Sequence, residues 1–440
     1  MANISVGICL LGCGTVGGGV ASILIEQREL LRRRTGIDFH LQHVVVKGKE
    51  DYPPNAEHLP MCTDADAAIN DPGSNIIVEL IGGTGVAGVF VEKALRAGKP
   101  VVTANKALLA TRGVELFGLA RENKTCIAFE ASAGGGIPII DAICRGLAAN
   151  RIDALLGIVN GTCNFILTKM TQNGWTYEQS LKEAQKLGFA EANPAMDVQG
   201  HDAAQKLVIL AGLAFNCRVA EKDIYVQGID TLDARDIQFA GELGYVIKLL
   251  AIAERKNGDQ VSLRVHPTLV HKDDVLADVS GSFNAISIYA HALGHALWYG
   301  RGAGRMPTAS AVVADIISVA QGIQPLLFNQ MRLLMDVVEP AKVQPFDQLM
   351  SRYYLRLSAR DEPGVLAHVT AILGKYGISV AGLNQREGGA SHAVPVVITT
   401  HLAQEGAMQS AVREIDALPT MQNPTMCLRI IDQPQEFAQA

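Results

Sequence analysis

The chain has 440 residues, of which 48 % are hydrophobic, 19 % charged and 5 % aromatic, and its formal net charge is −6. At about 100–200 residues per domain this length predicts two to four domains, and so apolar a composition excludes global disorder. The acidic balance argues against a nucleic-acid partner; no apolar run reaches the ~18 residues that cross a bilayer, and no basic, apolar leader opens the chain, so no membrane partner and a cytoplasmic location are expected.

The first 150 residues alternate strand and helix signals. An apolar run over 4–11 breaks at glycines, and one helix is expected over about 16–33. Strands follow over 39–46, 75–81, 100–103 and 126–130, with helices over 89–97 and 107–122. Strands separated by helices of this length imply a parallel sheet with right-handed crossovers. The middle section is mixed. Strands are expected over 152–159, 260–270 and 285–290, and helices over 177–186, 203–215 and about 308–320. Pro325, Pro340 and Pro345 punctuate a linker with one short helix around 329–337,. After it the pattern restarts as strand 353–358, helix 364–376, strands 377–384 and 393–400, helix 406–417 and strand 426–431. This βαββαβ order is ferredoxin-like. The expected plan is an α/β Rossmann-type nucleotide-binding domain over 1–135 and an α+β catalytic and dimerisation domain over 136–321. A linker over 322–350 leads to a ferredoxin-like domain over 351–435. Eight cysteines without a C-x-x-C pair read as reduced, mostly buried thiols,.

The first strand runs into Gly12-Cys13-Gly14-Thr15-Val16-Gly17, a G-x-G-x-x-G between strand and helix. Gly12 permits the tight turn, Gly14 lets the backbone approach a pyrophosphate, and Gly17 lets the helix pack on the strand. The phosphates would rest on the helix N-terminus at Thr15 and Val16. At the end of the second strand a carboxylate would bind the ribose 2′-OH of NAD(H). Here Lys47-Gly48-Lys49 stands instead, with acids only at 50 and 51. Lys47 suits a 2′-phosphate, so NADP(H) is expected in preference to NAD(H), with dual use open.

Thr103-Ala104-Asn105-Lys106 places a lysine directly after a strand, and in doubly wound sheets ligands sit beyond the carboxyl ends of the strands, so Lys106 is expected to face the cofactor cleft,. A cation opening a helix is electrostatically unfavourable, which argues for a role other than stability. Further on, Asp202 and Lys206 are spaced i, i+4 and share one helix face ahead of an almost wholly apolar stretch over 207–215,. That placement implies partial burial, although spacing alone also allows a surface salt bridge. His201 beside them reads as structural.

These motifs together resemble homoserine dehydrogenases of the type with a C-terminal ACT domain. The resemblance spans nearly the whole chain. It rests on the Gly12 turn, Thr103-Ala-Asn-Lys106, Asn160-Gly-Thr-Cys-Asn-Phe165, Gly188-Phe-Ala-Glu191, Asp197-Val198, Gly200, Asp202-Ala-Ala, Lys206-Leu207 and Gly302-Ala-Gly304-Arg-Met-Pro. It implies the reversible reduction of L-aspartate 4-semialdehyde to L-homoserine with NAD(P)H, a step of threonine, methionine and isoleucine biosynthesis. Hydride attack on the aldehyde carbon builds negative charge on the carbonyl oxygen, so a cation must stabilise it and a proton must arrive.

The resemblance makes Lys206 the proton donor and sets Lys106 and Thr103 beside nicotinamide and substrate. Asp202 would hold Lys206 or the substrate hydroxyl. Glu191 and Asp197 would bind substrate, and Gly188, Gly302 and Gly304 would contact the cofactor from the second domain. Glu130, Ala133, Gly135 and Ile137 would hold a monovalent cation, sodium, through backbone carbonyls. The ACT-like domain implies L-threonine as effector, touched by Gly364, Asn384 and Gln385, and a homodimer or homotetramer. Two other readings stay open. One is another dehydrogenase of an aspartate-like substrate. The other is a non-catalytic amino-acid sensor, which would not need both Lys106 and Lys206.

Overall fold

Six parallel strands carry the N-terminal third: β1 (Ile4–Leu11), β2 (Ile37–Val45), β3 (Met61–Cys62), β4 (Ile76–Glu79), β5 (Val101–Thr103) and β6 (Ile127–Ala128). Their order is β3-β2-β1-β4-β5-β6. β4 and β5 are buried along their whole length, as expected of parallel strands covered by helices on both faces. The helices are α1 (Thr15–Glu26), α2 (Arg28–Thr35), α3 (Ala65–Asn70), α4 (Val86–Arg96) and α5 (Lys106–Glu122). The single helix expected over 16–33 is two, because Gln27 (φ −104°, ψ 12°) leaves helical geometry between them. The computed structural model describes residues 4–48, 51, 58–256, 259–385 and 393–431.

The chain continues through α6 (Ile139–Asp141), β7 (Ile152–Ile158), α7 (Gly161–Asn173), α8 (Tyr177–Lys186), α9 (Ala195–Val198), α10 (His201–Phe215), β8 (Tyr225–Val226), α11 (Ala234–Glu242), β9 (Tyr245–Arg255) and β10 (Gln260–His271). Next come β11 (Phe283–Ala290), β12 (Gly294–Arg301), α12 (Arg305–Ala320), α13 (Ile323–Gln330), β13 (Lys342–Val343) and β14 (Met350–Arg360). The last elements are α14 (Val365–Lys375), β15 (Val380–Gln385), β16 (Ala393–Thr400), β17 (Ala403–Gln404), α15 (Glu405–Asp416) and β18 (Met421–Ile431). Two compact units result. One holds the residues up to 155 with 202–223 and 283–341, the other 156–201, 224–282 and 342 onward.

In the first unit α12 lies against α1. A Cβ on Gly19 would stand 2.8 Å from Arg305 O and 2.9 Å from Ala309 Cβ, so only glycine lets the two helices touch there,. Arg305 Nη2 donates to Ser22 Oγ at 2.9 Å and Gly18 O at 3.3 Å. The short helix expected over 329–337 lies earlier, at Ile323–Gln330. Gly322 (φ 77°) opens it in the left-handed region, and buried Phe328 packs edge-on against Phe117. Arg121 secures the end of this helix and the segment after it, donating to Phe328 O and pairing with Asp336.

In the second unit β9, β10, β18, β14, β16 and β15 succeed one another in one sheet. β14-α14-β15-β16-α15-β18 is the expected βαββαβ fold, its core formed by Tyr353, Leu355, Val369, Leu373, Ile398, Met408 and Ile415. β9 has no counterpart among the expected strands and pairs antiparallel with β10 along its whole length. The other edge of β10 takes three parallel segments in succession. They are β13 at Gln260 and Val261, β8 at Arg264 and Val265, and β18 from Thr268 to Val270.

Candidate active site

Gly12 adopts φ +96°, and a Cβ there would lie 2.9 Å from the Leu80 carbonyl. A Cβ on Gly17 would lie 2.1 Å from Gly12 O, whereas nothing comes within 4 Å of one on Gly14. Two glycines are thus needed by the fold, and the third leaves an open cradle before Thr15 and Val16, the first residues of α1. The cradle stands at the carboxyl ends of β1 and β4, where the strand order reverses, and it fits a dinucleotide pyrophosphate. Lys47 is exposed just beyond β2. Lys49 and Glu50 lie outside the described residues.

The Thr103-Ala104-Asn105-Lys106 motif is explained by a residue that the sequence motifs do not single out. Glu79, fully buried at the end of β4, accepts from the N–H groups of Ile81 and Gly82, both at 2.9 Å, and from the Thr103 hydroxyl at 2.7 Å. Thr103 Oγ1 accepts from Asn105 N, and Asn105 caps α5 by accepting from Leu108 N. Asn105 Nδ2 donates to Gly83 O at 2.7 Å. One buried carboxylate thereby ties the glycine loop after β4 to the start of the lysine helix. An acid closing an otherwise apolar strand, Ile-Ile-Val-Glu before Gly82-Gly83, is the signal that could have found it.

Lys106 opens α5, and its Nζ lies 3.1 Å from Asp202 Oδ1. Lys206 Nζ lies 2.8 Å from Asp202 Oδ2. Asp202 and Lys206 are buried and Lys106 about 30 % exposed at its side chain. One carboxylate is therefore shared by two ammonium groups from separate helices, and the surface-salt-bridge alternative is excluded. The arrangement holds two cationic N–H donors side by side, which suits polarising a carbonyl oxygen and protonating it.

In the second unit Glu191 and Gly188 are exposed, Gly188 at φ +76°. Their segment is held from α7 and α8. Thr162 Oγ1 donates to Phe189 O at 2.6 Å, Gln185 Nε2 to Glu191 O at 3.1 Å, and the Phe165 and Phe189 rings lie 4.9 Å apart. Asn160 caps α7 by accepting from Cys163 N, and its Nδ2 donates to Asp197 Oδ1 at 2.7 Å. The Cys163 thiol donates to Asp197 O. The Asn160-Gly-Thr-Cys motif is thus a clamp on the 189–197 segment.

Gly302 and Gly304 stand in the first unit with the nucleotide turn. A Cβ on Gly135 would be 2.3 Å from Gly302 O, and Gly304 (φ +120°) opens α12. Glu130, five positions before Gly135, is buried. Its carboxylate accepts from Ile140 N at 2.9 Å and Asp141 N at 2.8 Å, and its own N–H donates to Asp315 at 2.9 Å. Burial pushes the Glu130 carboxyl up to about 7 and raises Asp315 as well,. Both acids thus sit where burial disfavours their charged forms, and the cation reading rests on the backbone of the Gly134-Gly135 turn, both glycines at positive φ. Among the described residues no three His, Cys, Asp or Glu side chains group as a metal cluster.

Gly364 (φ +92°) opens α14 in the left-handed region. With Gln385, Arg360, Glu362 and Val396 it lines a cavity of about 330 Å³. Asn384 is adjacent in β15, paired with Val397, and is not among the lining residues.

Residues 138–317 match the homoserine dehydrogenase family, 12–130 its NAD-binding domain and 353–420 the ACT domain. A homoserine dehydrogenase of Neisseria gonorrhoeae is 42 % identical, over 97 % of this chain and 98 % of that protein. The chain belongs to the homoserine dehydrogenase family. This is a family of NAD(P)-dependent oxidoreductases, and its fold extends to the ACT domain. The crystal structure of a homoserine dehydrogenase from Thiobacillus denitrificans superposes with a TM-score of 0.91 at 40 % identity, covering 97 % of this chain and 98 % of that one. A hyperthermophilic archaeal homoserine dehydrogenase in complex with NADPH matches with a TM-score of 0.62 at 28 % identity, over 72 % of this chain and 98 % of that one.

Proposed function

We propose that the chain interconverts L-homoserine and L-aspartate 4-semialdehyde, with NADP(H) preferred over NAD(H) and L-threonine as feedback effector. The sharing of Asp202 by Lys106 and Lys206 carries the reading, since it keeps two cations at one point. The cofactor, when bound, supplies or removes hydride at the carbon that becomes the alcohol. In reduction the Lys206 ammonium gives its proton to the carbonyl oxygen as hydride reaches the carbon, and Lys106 stabilises the developing negative charge. Asp202 keeps both lysines oriented and stays paired with Lys106 when Lys206 gives up its proton. Glu191 and Asp197 bind the amino-acid end of the substrate, and Gly188, Gly302 and Gly304 contact the nucleotide.

Lys47 supports the 2′-phosphate preference, as does the NADPH complex of the archaeal relative. The cavity at Gly364 and Gln385 supports an amino-acid effector in the ACT domain, with Asn384 beside it. Sodium at Glu130, Ala133, Gly135 and Ile137 is supported by the tight Gly134-Gly135 turn, where backbone carbonyls suit a hard cation,. The domains run 1–135, 136–321 and 351–435 with a linker over 322–350. The assembly is a homodimer or homotetramer in the cytoplasm; among the described residues no single helix is long and apolar enough to cross a membrane. Initial rates of homoserine oxidation with NADP⁺ and NAD⁺, with and without threonine, and with sodium replaced by choline, test each part. Absence of homoserine-dependent reduction with either nucleotide would overturn the whole.

A further inference from the structure

We infer that Arg429, a residue of the last ACT strand, positions the substrate segment of its own chain through Gln227. The inference rests on the reading of residues 188–197 as substrate-binding. Arg429 is 1 % exposed. Its Nε and Nη2 donate to the two oxygens of Glu405 at 3.0 and 2.5 Å, a forked pair that fixes the guanidinium plane,. Tyr353 donates to the same carboxylate at 2.9 Å. These contacts belong to the ACT fold itself. The remaining nitrogen does not: Nη1 donates to Gln227 Oε1 at 2.5 Å, and Nη2 also reaches the Tyr225 hydroxyl at 3.4 Å. The Tyr225 and Phe346 rings stack 3.5 Å apart, with the guanidinium about 5 Å from each centroid,.

The sheet makes this meeting possible. β8 and β18 occupy consecutive stretches of one edge of β10, so the residue leaving β8 faces the side chain of β18. From Gln227 the link continues by close backbone contact. Gln227 N donates to Val265 O on β10, and Ile229 N donates to Val198 O at 2.8 Å. A Cβ on Gly228 would lie 2.4 Å from Val198 O and 2.6 Å from Gln199 Cα, so this turn abuts the segment directly. A Cβ on Gly200 would lie 3.0 Å from Val226 Cγ1. Val198 follows Asp197, whose carboxylate and carbonyl are already held by Asn160 and Cys163. Docking two strands needs no buried charge, and apolar residues usually serve that end as well or better. A forked cation that spans Glu405 and Gln227 instead sets the orientation of the 227–229 turn, and with it the backbone from which Asp197 projects.

Three variants of the full-length chain test this. Gln227→Leu removes the acceptor and leaves the Arg429–Glu405 pair. Arg429→Lys keeps the charge but cannot hold both partners at once. Asp197→Asn probes the segment itself. Gln227→Leu and Arg429→Lys are each expected to raise the KM for homoserine about tenfold, the scale of one lost charge-assisted hydrogen bond. Turnover and the KM for NADP⁺ stay within about twofold, and the double variant adds nothing beyond the larger single effect. A wild-type homoserine KM in Gln227→Leu, with Asp197→Asn raised, would overturn the link and leave the substrate reading standing. A wild-type KM in Asp197→Asn would overturn the substrate reading and the link with it. A fall in melting temperature of Arg429→Lys with no change in KM would mark Arg429 as a strand-docking residue and refute the proposal.

Discussion

Lys206 and Asp202 form an ion pair of 2.8 Å on successive turns of α10, with side chains only 11 % and 13 % exposed. Because Lys106 takes the other carboxylate oxygen, the pair is not self-contained. Lys206→Ala is expected to cut turnover by about 10²- to 10⁴-fold, the range of a lost general acid. NADPH affinity, read by nucleotide fluorescence, should change less than about threefold, because the glycine cradle is untouched. Turnover near wild type in this variant would remove Lys206 from the proton-donor role.

Glu79 accepts three hydrogen bonds in full burial, two of them from the loop after β4, which adjoins the nucleotide turn. Both backbone donors meet one oxygen of Glu79, so glutamine can keep them, but its amide then presents a donor to the Thr103 hydroxyl in place of an acceptor, and the charge that strengthened all three bonds is gone,. Glu79→Gln should cost about 2 kcal/mol of stability, on the scale of broken charge-assisted bonds, and raise the KM for NADP⁺ more than the KM for homoserine. Denaturant titration and two-substrate kinetics check both; a larger effect on homoserine than on nucleotide would contradict the placement.

Lys248 is 3 % exposed, its Nζ donating to Val279 O at 2.6 Å, and burial lowers its pKa from the ordinary 10.5 to about 8. Below pH 8 both the folded and unfolded chains carry the charge, and only the folded one keeps it out of water. Between pH 8 and 10.5 the unfolded chain binds the extra proton, so stability rises with pH across that window. Lys248→Met should stabilise by up to about 3 kcal/mol at pH 7, with the gain fading toward pH 10. Val279 O keeps a donor in Asn164 Nδ2 at 3.1 Å. Equal gains at pH 7 and pH 10 would show that the charge is not the cause.

The ACT domain is built into its sheet. β18 pairs with β10, and Arg356 bonds Asp236 at 2.6 and 2.9 Å, both residues buried. Deleting residues from 350 onward should therefore uncover the β10 edge and strip Asp236 of its cation, giving an aggregation-prone protein. A cleaner separation comes from Gly364→Asp. Only glycine adopts φ +92° without strain, and the added carboxylate would crowd the cavity proposed for the effector,. Threonine inhibition should disappear while uninhibited turnover stays within about twofold. Persistence of inhibition would place the effector elsewhere.

Much of this was legible in residue order alone. Strand and helix signals pointed to the parallel α/β sheet and the βαββαβ restart, because each rests on local periodicity and turn chemistry. The Gly12 turn and the Asp202–Lys206 spacing were readable for the same reason, as both lie within a few residues of chain. Helix α7 and strand β9 were not, since burial on nearly every side erases the alternation that marks an element in sequence. What only the tertiary structure decided are the relations between distant residues. Lys106 reaches Asp202 across 96 positions (202 − 106), Glu79 ties two loops, and Arg429 meets Gln227 because β8 and β18 share one edge of β10. A buried charge takes whichever partner the packed chain brings within reach, and sequence spacing carries no trace of that choice.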